Sequence, residues 1–179
     1  MRGPGAFVAF VVLAVSAAAC GYALAGRGNA LPTHIRTVGI PNLVNHSNLP
    51  EIDVALSDAV RAEFSSRGRY VVQPVATGVD AVLTGVVVSA DLRPLTFTAN
   101  NQASSYTLTI TTTVEFKDLI DDKVLWTNPA FRSSEEYQAP ASAGVPTDVN
   151  TLITQIPNAQ VRLAKKFARE VVSSIFEAF

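Results

Sequence analysis

The most regular pattern of apolar and polar residues in the chain runs from Tyr106 to Phe116. One set of alternating residues consists of five large apolar or aromatic residues and Thr112, and the other consists of four threonines and one glutamate, so the two sets of side chains point to opposite faces of an extended backbone. Alternation of this length indicates a strand in a sheet that is covered on one face only. Residues 117–122 are predicted to form a hairpin turn, from which residues 124–126 return as the antiparallel partner strand.

Three shorter segments upstream also have the composition of strands. Residues 35–40 and 70–73 are each followed by a proline, which has no N–H to donate to a sheet. Residues 81–88 are rich in β-branched side chains, and we expect this strand to be buried on both faces over part of its length. It is predicted to stop near Arg93 and Pro94.

Apolar residues at spacings of three and four predict two amphipathic helices. The first follows Pro50, a residue favoured in the first helical turn, and ends before Gly68. Pro157 either starts the second helix or kinks a longer one that begins near Asp148. The apolar face of the second helix consists of Leu163, Ala164, Phe167, Ala168, Val171, Val172, Ile175 and Phe176.

These elements follow one another in the order β-α-β-β-β-β-α. Helices and strands that each have one apolar face bury it by packing in layers. We therefore predict an α+β fold in which two helices pack on one face of a four- to five-stranded mixed, largely antiparallel sheet. Residues 31–179 are predicted to form this single domain.

The N-terminus has the pattern of an export signal over residues 1–19. Arg2 precedes an apolar stretch and four small residues. The stretch is shorter than the ~20 residues that a membrane-spanning helix needs. Cys20 follows directly and is the only cysteine, so it forms no internal disulfide. Its position predicts lipidation, with residues 20–30 as a lipidated tether. Because Ala17 stands where a lipobox usually has leucine, ordinary cleavage to a soluble periplasmic protein remains the alternative.

Charge and motifs argue against nucleic-acid binding and against catalysis. The formal net charge is −1, so the chain lacks the basic field of nucleic-acid-binding proteins. His34 and His46 lack the spacing of a metal site, and neither a nucleophile elbow nor a phosphate loop is present. The neighbours Asp121-Asp122 and Glu135-Glu136 point to opposite faces of an extended backbone, which indicates turn and edge charges. We predict a protein that is not an enzyme and binds no metal or cofactor.

Several short motifs, taken in order, resemble the LPS-assembly lipoprotein family LptE. The similarity covers nearly the whole chain after the predicted signal. The motifs are Cys20-Gly21-Tyr22-x-Leu24-x-Gly26, Leu31-Pro32, Ile40-Pro41-x-x-x-Asn45, Glu63-Phe64-x-x-Arg67-Gly68-Arg69, Asp80-Ala81-Val82-Leu83-x-Gly85, Tyr106-x-Leu108, Val124-Leu125-Trp126 and Glu135-Glu136-Tyr137.

The resemblance implies a lipid-anchored protein on the periplasmic face of the outer membrane. Such proteins plug the large β-barrel LptD, and the pair delivers lipopolysaccharide to the outer leaflet without the plug making or breaking a bond. The expected partners are therefore an LptD-type barrel, lipopolysaccharide and, through the lipid anchor, the membrane. On this interpretation the threonine-rich face of residues 106–116 meets the polar barrel wall. The alternative is an ordinary solvated sheet face.

Contact with lipopolysaccharide phosphates requires cations on loops or at strand ends. Arg93, Lys117 and Lys123 are the candidates, because they flank turns at the ends of the two clearest strands. The basic face of the last helix, from Arg162 to Arg169, is a second candidate. For all of these residues, a solvated surface charge is the alternative interpretation.

Two other classes of protein remain open. The first is an oligomeric or enzyme-activating lipoprotein of the curli-secretion or peptidoglycan-synthase-activator type, which shares the early strand and helix pattern but lacks the leading Cys-Gly-Tyr-x-Leu string. The second is a soluble periplasmic carrier that holds an acyl chain inside the fold. The sequence has no excess of apolar residues beyond those that the helices and sheet require.

Overall fold

The computed structural model describes residues 31–97, 103–138 and 159–179. The predicted signal, Cys20, the tether and Pro157 lie outside these residues. No helix within the described ranges is both long and apolar enough to cross a membrane. The elements are β1 (Thr37–Gly39), β2 (Val44–Asn45), α1 (Ile52–Ser66), β3 (Val71–Gln73), β4 (Ala81–Phe97), β5 (Ala103–Asp118), β6 (Lys123–Gln138) and α2 (Ala159–Glu177).

The strands form one mixed sheet in the order β3-β1-β4-β5-β6. β1 is parallel to β3 and β4, whereas β4, β5 and β6 form an antiparallel meander. The sixth strand, β2, pairs with β4 beside β1, where Val44 lies opposite Val86. The predicted α+β class is confirmed, with one more strand than expected because β2 is only two residues long and lies in a turn-rich segment.

The three meander strands are longer than the sequence predicts. β4 continues through Arg93 and Pro94 to Phe97. β1 and β2 cover β4 only near residues 81–82 and 86–87. Among the described residues, Pro94 therefore lies where this edge of β4 has no partner strand, and the missing N–H costs no ladder hydrogen bond there. β6 extends beyond the predicted residues 124–126 as far as Gln138. The pair Glu135-Glu136 therefore lies within this edge strand.

Both helices pack on the same face of the sheet and on each other. The even-numbered residues of β5 point into this core, and Leu108, Ile110 and Phe116 are fully buried. The Phe64 ring of α1 lies 6.0 Å from the ring of Phe116 and 5.7 Å from that of Phe176 in α2. A single aromatic cluster thus joins the sheet to both helices.

Helix α1 ends close to the predicted position. It extends to Ser66, and Gly68 follows with a φ of 69°, a left-handed conformation that costs glycine little. The Gly68 N–H donates to the carbonyl of Ser65 at 3.0 Å, which satisfies one of the last helical carbonyls. Gly68 therefore stops the helix as the sequence indicates.

Candidate interaction surface

The face of the meander opposite the helices is polar in rows that run across the three strands. Residues that pair across strands share a face, and the odd-numbered residues of β5 form the middle of each row. From one end of the sheet, the rows are Arg93–Thr107–Glu136, Asp91–Thr109–Ser134, Ser89–Thr111–Arg132, Thr84–Glu115–Thr127 and Val82–Lys117–Val124. We call these rows the open face.

The hydroxyls at the centre of the open face are available to a partner. Thr107, Thr109 and Thr111 are partly exposed, and no hydrogen bond joins their hydroxyls to other residues in the described part of the chain. The Thr113 hydroxyl instead donates to the Pro129 carbonyl at 3.1 Å. Each free hydroxyl both donates and accepts, so this face tolerates many polar partners. The alternation of residues 106–116 predicts this arrangement correctly.

The charges of the open face balance. Three carboxylates, from Asp91, Glu115 and Glu136, are distributed among three cations, from Arg93, Arg132 and Lys117. Opposite charges interspersed along a sheet produce no strong field of either sign. The open face as a whole is therefore suited to a mixed polar surface.

The predicted phosphate contacts lie at two distant ends of the sheet. Lys117 and Lys123 flank the β5–β6 turn, whereas Arg93 pairs with Thr107 near the other end of β5. Thr107 and Lys117 are roughly 34 Å apart at ~3.4 Å per strand residue. Lys117 contacts the Asp122 carboxylate, whose hydrogen bond and charge raise the pKa of Lys117. Within the described ranges, Arg93 and Lys123 have no ion-pair partner.

Half of the basic face of α2 is engaged within the protein. The Arg162 guanidinium lies 4.8 Å from the centre of the Tyr137 ring, a cation–π contact. The Lys166 ammonium lies 3.6 Å from the Glu135 carboxylate. Lys165 and Arg169 border a shallow groove of about 520 Å³ between α1 and α2, and its floor is mainly alanine. These two cations are the ones left for an external anion.

The end of the sheet that contains Lys117 and Lys123 also holds a cluster that the sequence does not reveal. His34 Nε2 lies 2.5 Å from Oδ2 of Asp118 and 3.9 Å from Asp121. Asp118 is 1% exposed, and its other oxygen accepts the backbone N–H groups of Ile120 and Asp121 at 2.9 and 3.2 Å. These contacts close the β5–β6 turn, and one ligand atom from each of the three residues lies within 4.8 Å of the other two, a separation that a metal ion could bridge.

The electrostatics of this cluster follow from its contacts. The hydrogen bond to Asp118 raises the pKa of His34 and outweighs the opposing effect of desolvation. Burial favours the neutral form of Asp118, but the His34 hydrogen bond and the two backbone amides prevail and lower its pKa. His34 and Asp118 are 84 positions apart, so no local spacing indicates their pairing.

The chain also matches a known protein family. The family model LptE, described as "Lipopolysaccharide-assembly", matches residues 35–177, which include every described strand and helix. This chain belongs to the LptE family. LptE-family proteins are non-enzymatic components of lipopolysaccharide transport and partner with LptD. The resemblance seen in the short motifs is thereby confirmed.

Solved structures share the fold of this LptE-family chain. Uncharacterized lipoprotein B from Nitrosomonas europaea is 14% identical with a TM-score of 0.51, over 85% of this chain and 88% of that one. Hypothetical protein CT253 from Chlamydia trachomatis is 9% identical with a TM-score of 0.53, over 79% of this chain and 96% of that one. A weaker match, whose TM-score of 0.42 is too low to indicate a shared fold, is the PelC dodecamer from Paraburkholderia phytofirmans, which is 16% identical over 78% of this chain and 90% of that one. No curated protein sequence matches the chain.

Proposed function

We propose that this protein is an outer-membrane lipoprotein that occupies the lumen of an LptD-type β-barrel from the periplasmic side. In that position it assists assembly of the barrel and delivery of lipopolysaccharide to the outer leaflet. The observation that carries the proposal is the open face, a polar sheet surface that neither helix covers. The interiors of large outer-membrane barrels are polar, so a plug needs a polar surface of this kind.

The dimensions of the meander support the same proposal. Strands in globular proteins average five to six residues, whereas β4, β5 and β6 have 17, 16 and 16 residues. At ~3.4 Å per residue, β5 is roughly 54 Å long. An apolar barrel band is ~25 Å tall, so a ribbon of this length reaches through the lumen with one end at the periplasmic surface of the membrane.

The anchor is the second part of the proposal. Residues 1–19 act as the export signal, Cys20 carries the lipid, and residues 20–30 form the tether to the domain at 31–179. Replacing Cys20 by alanine removes the only thiol in the chain and should move the protein from the membrane to the soluble periplasmic fraction. Membrane association that is unchanged in this variant indicates retention by the barrel or by an uncleaved signal helix.

The proposal also assigns lipopolysaccharide phosphates to Arg93, Lys117 and Lys123. Arg93 and Lys123 are the stronger candidates, because Lys117 is neutralised by Asp122. A cation without an ion-pair partner binds a phosphate more favourably than one that must first lose its contact with a carboxylate. Lys165 and Arg169 beside the helix groove remain the second candidate surface.

A mild-detergent pull-down of the tagged protein from its native outer membrane tests the proposal. The expected result is a large β-barrel recovered at one copy per plug and identified by mass spectrometry. Recovery of a homo-oligomer or of a peptidoglycan synthase contradicts the plug function and supports the oligomeric or enzyme-activating class of lipoprotein. A monomer without a protein partner, but with a bound acyl chain, supports the carrier.

A further inference from the structure

One end of the molecule exposes apolar side chains beside the β5–β6 turn. Ile120 and Leu119 in this turn are 57% and 38% exposed, and Val124, just after it, is 43% exposed. Val71 at the start of β3 is 59% exposed, and the register from β3 through β1 and β4 to Asp118 places it at the same end. We call residues 31–36, 69–71 and 117–124 the tether end.

The described chain also begins at this end. Leu31 is buried, and its N–H donates to the hydroxyl of Tyr70 at 3.2 Å. Three residues later, His34 contacts Asp118, which lies two positions before Ile120. The segment that leads from Cys20 therefore reaches the domain beside the exposed turn. Fully extended, the residues from Cys20 to Leu31 span no more than about 40 Å, so a lipid on Cys20 holds this end close to a membrane.

The charges of the tether end are compatible with phosphate headgroups. Within the described ranges, Arg36, Arg69 and Lys123 have no ion-pair partner, whereas Asp118 pairs with His34 and Asp122 with Lys117. Asp121 lies 3.9 Å from His34. Asp80, whose carboxylate accepts the Arg36 N–H, and the exposed Glu177 balance these cations, so the tether end carries no net positive charge. The exposed apolar turn thus supplies most of the expected attraction, and the cations orient it.

We propose that the tether end rests on a phospholipid membrane surface, with Leu119 and Ile120 inserted at the boundary between headgroups and acyl chains. Apolar side chains at this depth leave water while nearby cations stay at the headgroups. This inference requires the lipid tether but does not require the barrel. Exposure alone does not select this end, since Leu95 and Phe97 at the opposite end are 51% and 57% exposed. We assign this end to the membrane because the segment from Cys20 enters the domain here.

Fluorescence quenching in vesicles tests the inference. Ile120→Cys and Leu95→Cys place matched exposed thiols at the two ends, and the full-length lipoprotein with Cys20 alone gives the background labelling. Each thiol receives an environment-sensitive dye, and the lipoprotein is incorporated into phosphatidylethanolamine–phosphatidylglycerol vesicles that contain lipids with a quencher near the headgroup. Thermal melts confirm that both variants keep the fold.

We expect quenching of the Ile120 dye to exceed that of the Leu95 dye at least threefold. Adding Leu119→Asp to the Ile120→Cys variant should reduce the difference by more than half. Equal quenching at both ends, stronger quenching at Leu95, or a lipoprotein that does not remain with the vesicles overturns the inference. Because these vesicles contain no barrel, failure here is distinguishable from failure of the plug proposal, which the pull-down tests.

Discussion

His34 Nε2 lies 2.5 Å from Oδ2 of the buried Asp118, and this contact joins the start of the domain to the β5–β6 turn. Asp80 reinforces the same region, because its carboxylate accepts the backbone N–H groups of Arg36 and Thr37 at 2.9 and 2.8 Å. These bonds lower the pKa of Asp80. Two carboxylates therefore fix the segment that leads from the tether into the sheet.

The His34–Asp118 pair should make stability depend on pH. His34 has a raised pKa in the folded state, so its contribution is fully present below the unfolded pKa of ~6.5 and is lost as pH rises through the folded value. Asp118 has a lowered pKa, so its contribution is lost only as pH falls through a value below 3.8. The pair therefore stabilises the fold most at mildly acidic pH.

The variant His34→Gln tests this window. We expect it to lower the Tm more at pH 5.5 than at pH 9, measured by circular dichroism. His46→Gln, at an exposed histidine, is the control and should leave the Tm unchanged at both values. A His34→Gln penalty that is larger at pH 9 would contradict the assignment.

Gly39 should resist substitution because the chain passes very close to it. A Cβ at this position would lie 2.2 Å from the Val75 carbonyl oxygen and 2.8 Å from Cγ2 of Val79. Gly39→Ala should therefore reduce the free energy of unfolding by about 1–3 kcal/mol, as overpacking does. Urea titration measures this change. Ala55→Gly, on the partly buried face of α1, is the comparison variant because it introduces no clash. It should reduce the free energy of unfolding by about 1 kcal/mol through the lower helix propensity of glycine.

Phe64 should be among the most sensitive core positions. Its ring is fully buried and contacts the rings of Phe116 and Phe176, so it joins the sheet to both helices. Phe64→Ala should cost about 3–5 kcal/mol in the free energy of unfolding. Val54→Ala on the exposed side of the same helix should change it by less than about 0.5 kcal/mol. Similar losses in the two variants would show that the aromatic cluster is not the centre of the core.

Charge reversal, one residue at a time, tests the predicted lipopolysaccharide contacts. Arg93→Glu and Lys123→Glu each remove a cation that has no ion-pair partner among the described residues, and each should weaken binding of lipopolysaccharide to the purified protein about tenfold. Lys117→Glu should have a smaller effect, because Asp122 already neutralises Lys117. Binding is measured by titration at constant salt, with Arg69→Glu, at an exposed cation that is not among the candidates, as the surface control. Unchanged affinity in all three variants would remove these residues from the account.

Local patterns predict the elements of this fold well, and the buried faces explain why. The alternation of residues 106–116 follows the pleat of β5, including Thr112, a polar residue that is fully buried and whose hydroxyl donates to the Phe131 carbonyl at 3.3 Å. The spacing of apolar residues likewise predicts α1 and α2. These signals are strong because a side chain on the wrong face would be left in water or buried without a partner.

Features that depend on contacts between residues far apart in the sequence cannot be predicted from local residue spacing. β4 passes through Pro94 because, within the part of the chain that the structure describes, no strand pairs with that edge of its second half; this is a property of the sheet rather than of the segment. β6 extends to Gln138 because β5 continues to provide a partner for it. The His34–Asp118 contact joins residues 84 positions apart. The open face is predictable along β5, but its balanced charges emerge only from the register with β4 and β6.

A barrel-recovery experiment with altered open-face residues tests the central claim most directly. The variant Thr109→Lys/Thr111→Glu adds bulk and charge to the open face, while Asp91 beside residue 109 and Arg132 beside residue 111 compensate the new charges within the sheet. The control Val54→Glu/Val161→Lys adds the same charges at exposed positions on the helices. Both proteins are pulled down from native outer membranes, after melts confirm that they fold. The plug proposal predicts at least a tenfold loss of the co-purified barrel for the open-face variant, about 1.4 kcal/mol, and near-normal recovery for the control. Full recovery with the open-face variant, or a loss confined to the helix variant, would contradict it.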